Sequence, residues 1–350
     1  MNTQNISIGS SEKIGLVSNL YTMLSAGIPI LETVNSLLED SKGNQKKILE
    51  TLRDDLTQGK QLYQSFGKFP GVFDKVTINI IKASEQAGTL DVTLKDLRDN
   101  IKKEVEFTDK IKSALFYPIL ILFVFSGVLL MILTFVIPRI SSVFSRLKVT
   151  LPLPTKILIF TSNILLTYTI PLILLFIILL FLMYIFYKKQ KRLFFNLLFS
   201  LPLISTLAKE IDLTRFTRSL YLLLNSGLPI TTTLELTQAV VMKREIAQAI
   251  AHCHEMILAG KRLSDGFKDN KHIFPGIMIK ITEAGEKSGT LEKSMQDISE
   301  YIDYQVGKTL TALTALLEPV MLVVIGILVG GMMLAIIAPI YGLIGQVGTR

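Results

Sequence analysis

The chain has 350 residues, is 49% hydrophobic, and carries a formal charge of +8 with a mean hydropathy of +0.47. Such apolarity excludes an ordinary soluble protein, and a single cysteine, Cys253, excludes an internal disulfide framework. The positive charge does not mark a nucleic-acid groove, because the excess basic residues sit beside apolar tracts.

From the N-terminus, nothing resembles a secretory signal. Leu16, Leu20, Met23 and Leu24 recur at helical spacing, and Gly27-Ile28-Pro29 stops that helix. Glycine tolerates the left-handed cap, and proline suits the first turn of the next helix, predicted over Pro29 to Glu39. Further helices are expected over Asn44 to Gln58, Leu62 to Phe66 and Asp74 to Gln86, the last stopped by Gly88. Thr89 is placed to cap a long charged helix from Asp91 to Lys112. No alternating strand pattern of any length is present.

Three uncharged apolar tracts follow: Ala114 to Pro138, Ile157 to Tyr187 and Pro319 to Gln346. Each exceeds the roughly 20 residues needed to cross about 30 Å of hydrocarbon. The expected organisation is a first helical domain over 1–113 and spans over 114–138, 157–187 and 316–345. A loop at 139–156, a second helical domain over 188–315 and a short tail at 346–350 complete it.

The second helical domain repeats the first. LYTMLSAGIPI at Leu20–Ile30 returns as LYLLLNSGLPI at Leu220–Ile230. Gly59-Lys60-Gln61-Leu62 returns as Gly260-Lys261-Arg262-Leu263, and Phe69-Pro70 as Phe274-Pro275. ASEQAGTL at Ala83–Leu90 returns as AGEKSGTL at Ala284–Leu291, Pro118 as Pro319, and Pro138 as Pro339. A nearly constant offset near 200 identifies one duplicated unit and not a short-period solenoid. The fold class is therefore an all-α membrane protein: two homologous bundles of about six helices each, and three transmembrane helices.

Two spans between the copies put both on one side of the membrane. Each copy is nearly charge-neutral. Basic residues near the span ends, among them Lys95, Arg98, Lys102, Lys103, Lys110, Lys112 and Lys308, favour the cytoplasm. Arg139 to Lys156 and the tail at Arg350 then lie outside.

Several residues stand out as structural corners or partner contacts. Gly27 and Pro29, with Gly227 and Pro229, mark helix–turn–helix corners; Gly88 and Gly289 mark stop-and-restart corners. Glu85 and Glu286 recur in both copies, and a solvated helix face, a buried ion pair and a shared docking surface all remain open. In the spans, Pro118, Pro138, Pro319 and Pro339 are expected to kink helices. Glu318 is the one acid at a span boundary, where it can pair with Lys308, reach headgroups or meet a partner. Gly326 and Gly330 form a flat face for close helix packing.

Signs of catalysis are missing. Beyond Glu318 at its boundary no Asp or Glu lies inside a span, no phosphate loop is present, and His252, Cys253 and His254 point to different faces of a helix. No catalytic, cofactor or metal residue is assigned, Cys253 reads as a small buried side chain, and the chain reads as a scaffold. A receptor would want a larger outer domain, and a transporter would want charged groups in its spans.

The paired SGxP, GxxL, FP and ExxGTL-type elements at Ala26–Pro29, Gly59–Leu62, Phe69-Pro70 and Glu85–Leu90 return at Ser226–Pro229, Gly260–Leu263, Phe274-Pro275 and Glu286–Leu291. With the three-span order, they resemble the inner-membrane platform proteins of type IV pilus and type II secretion machines. The resemblance runs from about Ile14 to Pro339. It implies a multi-pass protein of the bacterial inner membrane that couples a cytoplasmic hexameric ATPase to the insertion of pilins or pseudopilins into a fibre. Its implied partners are that ATPase, the pilins, other inner-membrane components, the lipid bilayer and further copies of itself, with no nucleic acid.

Overall fold

A computed structural model describes residues 6–147, 153–171, 174–175, 178, 181–182 and 202–347. The described residues contain helices and turns and no strand. The first copy comprises α1 (Ser10–Ser25), α2 (Ile30–Glu39), α3 (Gly43–Thr57), α4 (Leu62–Phe66), α5 (Lys75–Ala87) and α6 (Leu90–Met131). A π-helical turn over Ile132–Val136 leads into α7 (Ile137–Leu147), and α8 covers Leu153–Thr167. The second copy comprises α9 (Pro202–Asn225), α10 (Ile230–Gln238), α11 (Arg244–Leu258), α12 (Leu263–Asp269), α13 (Gly276–Ser288) and α14 (Leu291–Val347). Helix by helix, α1–α6 correspond to α9–α14.

The chain divides into two compact units. One holds residues 1–110 and 206–308, and so contains both copies of the repeat. Its first core gathers Leu16, Leu20, Ile48, Leu52, Phe66, Phe69 and Phe73, all fully buried. Its second gathers Phe216, Leu220, Ile250, Phe267, Phe274 and Met278 in the corresponding helices. Phe66 stacks on Phe73 at 4.1 Å, and Phe267 meets Phe274 at 4.3 Å. Truncating such a ring costs about 3–5 kcal/mol, so these aromatics fix how α4 and α12 seat in each bundle.

The other unit holds residues 111–205 and 309–350. Here the apolar parts of α6 and α14 leave most side chains uncovered: Phe123 is 77% exposed and Ile327 69%. Both helices are long and apolar enough to cross a membrane, with peak mean hydropathies of 3.0 and 2.5. An uncovered apolar surface of that length suits hydrocarbon and not water. The protein is an all-α membrane protein. Of the expected second span, 157–187, residues 157–171 are described, with α8 covering its start, and the rest lies largely outside the described residues.

Much of the connection expected at 139–156 is helical: α7 continues to Leu147 and α8 begins at Leu153. Pro154 is the second residue of α8, where a missing amide leaves no intrahelical bond unmade.

α6 and α14 continue as α-helix through Pro118, Pro319 and Pro339, each of which removes one amide from the ladder. A π-helical turn precedes Pro138. Ile137 N–H donates to the Ile132 carbonyl, five residues back. The next bond in that register would join Pro138 to Leu133, and proline has no N–H to give. The buried Ser162 hydroxyl of α8 donates to the Leu133 carbonyl instead. Away from water an unmet carbonyl is expensive, so Ser162 stabilises the proline-induced defect.

Candidate functional site

The repeated motifs prove to be parts of one packing device in each copy. Gly27 and Gly227 both have φ +79°, in the left-handed region that favours glycine. Ile28 N–H closes on the Met23 carbonyl and Leu228 N–H on the Leu223 carbonyl, the same reverse turn in both copies. Pro29 and Pro229 then stand at the N-caps of α2 and α10 with matching backbone angles. Gly88 and Gly289 also agree, with φ +71° at the C-caps of α5 and α13.

Glu85 and Glu286 are half-buried, and each carboxylate accepts hydrogen bonds from the start of another helix. Leu62 N–H donates to Glu85 Oε1 at 2.7 Å, and Tyr63 N–H to Oε2 at 3.3 Å. In the second copy Leu263 N–H donates to Glu286 Oε1 at 2.6 Å, with Ser264 N–H beside it. The start of α4 or α12 leaves amides without helical partners, and a carboxylate 23 residues away in sequence supplies them. The GxxL and ExxGTL motifs are therefore two sides of one contact. Thr89 and Thr290 stand directly before α6 and α14, where their carbonyls receive Thr93 and Ser294 N–H, and the Thr290 hydroxyl pairs with Ser288.

Other polar groups are particular to one copy. Asp55 is buried and bonded by Lys60, Lys68 and Ser65. Burial alone would push its carboxyl up; the bonds from Lys60, Lys68 and Ser65 overcome that and hold it at about 2. Asp212 accepts from Met242 and Lys243 N–H just before α11, and burial pushes its carboxyl up against those bonds. Cys253 is fully buried, and burial pushes its thiol to about 12. Gly266 lies so close that a Cβ there would sit 2.9 Å from its sulfur. Among the described residues no cluster of His, Cys, Asp and Glu is placed to hold a metal.

The charged junction between the copies was not legible from the motifs. Its apolar part is small: Val76 and Ile80 of α5 bury against Leu222 and Leu223 of α9, with Leu236 and Val240 alongside. Its polar part centres on Arg218 of α9, whose side chain is only 9% exposed. Arg218 Nη1 donates to Glu104 Oε2 of α6 at 2.9 Å, Nη2 lies 3.8 Å from Asp303 of α14, and the guanidinium covers the Phe107 ring at 5.4 Å. Arg215 reaches Glu104 at 3.5 Å, Lys103 pairs with Glu300 at 3.0 Å, and Lys110 with Asp303 at 3.4 Å. The bond from Lys103 holds the Glu300 carboxyl below its ordinary range. Beside the network is a cavity of about 690 Å³ lined by Lys103, Phe107, Lys110, Arg218, Glu300 and Asp303.

The end of the Lys110 side chain of α6 lies over Gly307 of α14, where a Cβ would sit 2.8 Å from Nζ. Three helices thus meet at one arginine. α6 and α14 continue into the two long apolar helices, and α9 follows the second apolar tract in sequence. A planar, always-charged guanidinium with several donors can hold two carboxylates at once; a lysine ammonium lacks that geometry.

Within the apolar helices the remaining candidates do not converge. Glu318 is exposed, and Lys308 sits over the Tyr304 ring at 4.7 Å and not on Glu318. Gly326 and Gly330 have nothing within 4 Å of a notional Cβ, so their face is open in this chain.

The sequence model of the type II secretion system (T2SS) protein F family matches twice, over residues 16–138 and 216–339, once on each copy. The chain belongs to this family. It is 29% identical over 336 residues to the type IV pilus assembly protein PilC of Thermus thermophilus, covering 95% of this chain and 82% of that protein. It is 27% identical to the PilC of Myxococcus xanthus, covering 93% and 79% of the two chains. It is 26% identical to the type II secretion system protein F of Aeromonas hydrophila, covering 95% and 86% of the two chains. The two matched segments coincide with the duplication, so the family's repeating unit is a bundle plus its following apolar helix.

Proposed function

We propose that this protein is the integral inner-membrane platform of a type IV pilus assembly machine, passing motion of a cytoplasmic ATPase to the insertion of pilin subunits. In this reading the chain spans the membrane three times, both bundles face the cytoplasm, and the platform is a scaffold with no chemistry of its own. The observation that carries it is the meeting of α6, α9 and α14 at Arg218. A push on either bundle is shared among three helices that lead toward the apolar tracts. The same architecture serves the alternative, a platform for type II protein secretion, which the likeness to secretion proteins F favours.

Two experiments test this reading. Co-expression with the assembly ATPase and purification in detergent should give co-elution of both proteins; separate elution overturns the ATPase contact. A flexible glycine linker placed at Lys110–Ser113, inside α6, should abolish fibre assembly while the chain still accumulates in the membrane. Assembly that survives the linker overturns mechanical coupling through that helix. Separate complementation of pilus-assembly and secretion mutants decides between the two machines.

A further inference from the structure

We infer that the cleft between α5–α6 of the first bundle and α9–α10 of the second is a binding site for a small organic anion, an apolar body that carries a carboxylate or a phosphate. The inference rests on the junction and the repeat, and not on the proposed machine. The cleft holds about 620 Å³. Its apolar lining comes from Phe73, Val76, Ile80, Leu97, Leu222 and Val240, and its charged lining from Asp74, Lys75, Glu104, Arg215 and Arg218. A mostly apolar chamber of that size with a few polar groups is the usual form of a small-molecule site. The corresponding α13–α14 face of the second copy is left open: Ile277 is 42% exposed, against 6% for its counterpart Val76. The cleft therefore belongs to the junction and not to the repeating unit.

Lys13 of α1 gives the sign of the ligand. Its ammonium stands at the edge of the cleft, over the Phe73 ring at 5.7 Å, and makes no ion pair among the described residues. The residue is half-buried, and burial pushes the ammonium below its ordinary range against the more distant pull of Asp74 and Glu104. The second copy shows what packing alone asks of this position. Leu213 stands 200 residues on, the offset that relates Leu20 to Leu220, and is 1% exposed in the second core. Packing does not require a lysine there, and an anion in the cleft supplies the partner that the lysine lacks.

Charge around the cleft agrees. Glu104 already serves Arg215 at 3.5 Å and Arg218 at 2.9 Å. Lys75 is exposed, with no ion pair among the described residues. Lys13, Lys75, Arg215 and Arg218 thus stand against Asp74 and Glu104. The two arginines are special to the junction, since the same positions of α1 hold Gly15 and Ser18. A guanidinium keeps donors to spare after one carboxylate, so Arg215 can hold Glu104 and an incoming anion together.

The test uses the purified full-length chain in phosphatidylcholine nanodiscs, with empty nanodiscs as the blank. Naphthoate and naphthyl phosphate are the probes, naphthalenemethanol is the uncharged control, and titration calorimetry is the readout. Saturable binding of at least one anion is expected, with the alcohol about tenfold weaker or more, the factor that one charge-assisted contact confers. Lys13→Leu and Arg215→Gln should each weaken the anion about tenfold and leave the alcohol unchanged, and Lys13→Arg should retain binding. Lys13→Leu should also melt no lower than the native chain, because leucine already serves the equivalent position. Weakening by Arg215→Gln supports the site even where Lys13→Leu fails to fold. No saturable binding, equal affinity for alcohol and anions, or anion affinity unchanged in Arg215→Gln overturns the inference. A Lys13→Leu chain that folds and binds the anions as the native chain does overturns the part assigned to Lys13.

Discussion

Replacing Arg218 with methionine keeps most of the aliphatic stem and removes the guanidinium. Three interactions go with it. The bond to Glu104 at 2.9 Å is charge-assisted, and such bonds contribute about 1.5–3 kcal/mol. Glu104 is 38% exposed, so solvent screening favours the lower end of that range. The 3.8 Å approach to Asp303 adds about 0.5 kcal/mol, and the contact with Phe107 about 0.5–1 kcal/mol. The expected loss is about 2–3 kcal/mol, or a Tm lowered by about 5–10 °C for a unit of this size. Thermal unfolding of the purified full-length chain in detergent measures it. The decisive form is a double-mutant cycle with Glu104→Gln, which isolates the pair from lost packing. A coupling of about 1.5 kcal/mol is expected. Additivity within about 0.3 kcal/mol would mean that the Arg218–Glu104 pair contributes nothing to stability, and the junction argument would fail.

Glu286→Gln should destabilise the second bundle by about 1–2 kcal/mol, since the amides of Leu263 and Ser264 then face a neutral acceptor; hydrogen exchange at α12 reads the loss directly. Glu85→Gln should do the same in α4, and protection unchanged in both would refute the capping role. Gly227→Ala is expected to cost about 1–2 kcal/mol through its positive φ alone, because no atom lies within 4 Å of the new Cβ; a Tm equal to that of the native chain would contradict this. Asp55 supplies a pH dependence. Its folded carboxyl, near 2, lies below the ordinary value near 3.8, so its contribution is complete above about pH 4 and is lost as pH falls through about 2. Removing it as Asp55→Asn should cost about 2 kcal/mol at neutral pH and progressively less in acid. A loss independent of pH would show that the Lys60 and Lys68 bonds are not its source.

Helix boundaries were legible because their signals are local. A glycine at the end of an apolar period stops a helix through its own φ, whatever surrounds it, and Gly27, Gly59, Gly88 and their counterparts do so at matching angles. The duplication was legible for the same reason, as were the two long apolar helices, whose hydropathy is a property of the segment alone. The role of Glu85 and Glu286 was not. Their partners lie 23 residues away, and the sequence alone could not distinguish a capping carboxylate from a solvated one.

Least legible was the junction. Arg218, Glu104 and Asp303 belong to no repeated motif, and over one hundred residues separate Arg218 from Glu104. Composition showed two charge-balanced bundles; only packing decided that one copy's α5–α6 face would be covered and the other copy's α13–α14 face left open. Repeats share local signals and therefore share a fold. Tertiary contact pairs different faces of the two copies, so residues at the same repeat position meet different surroundings, and that difference is absent from the sequence of either copy alone.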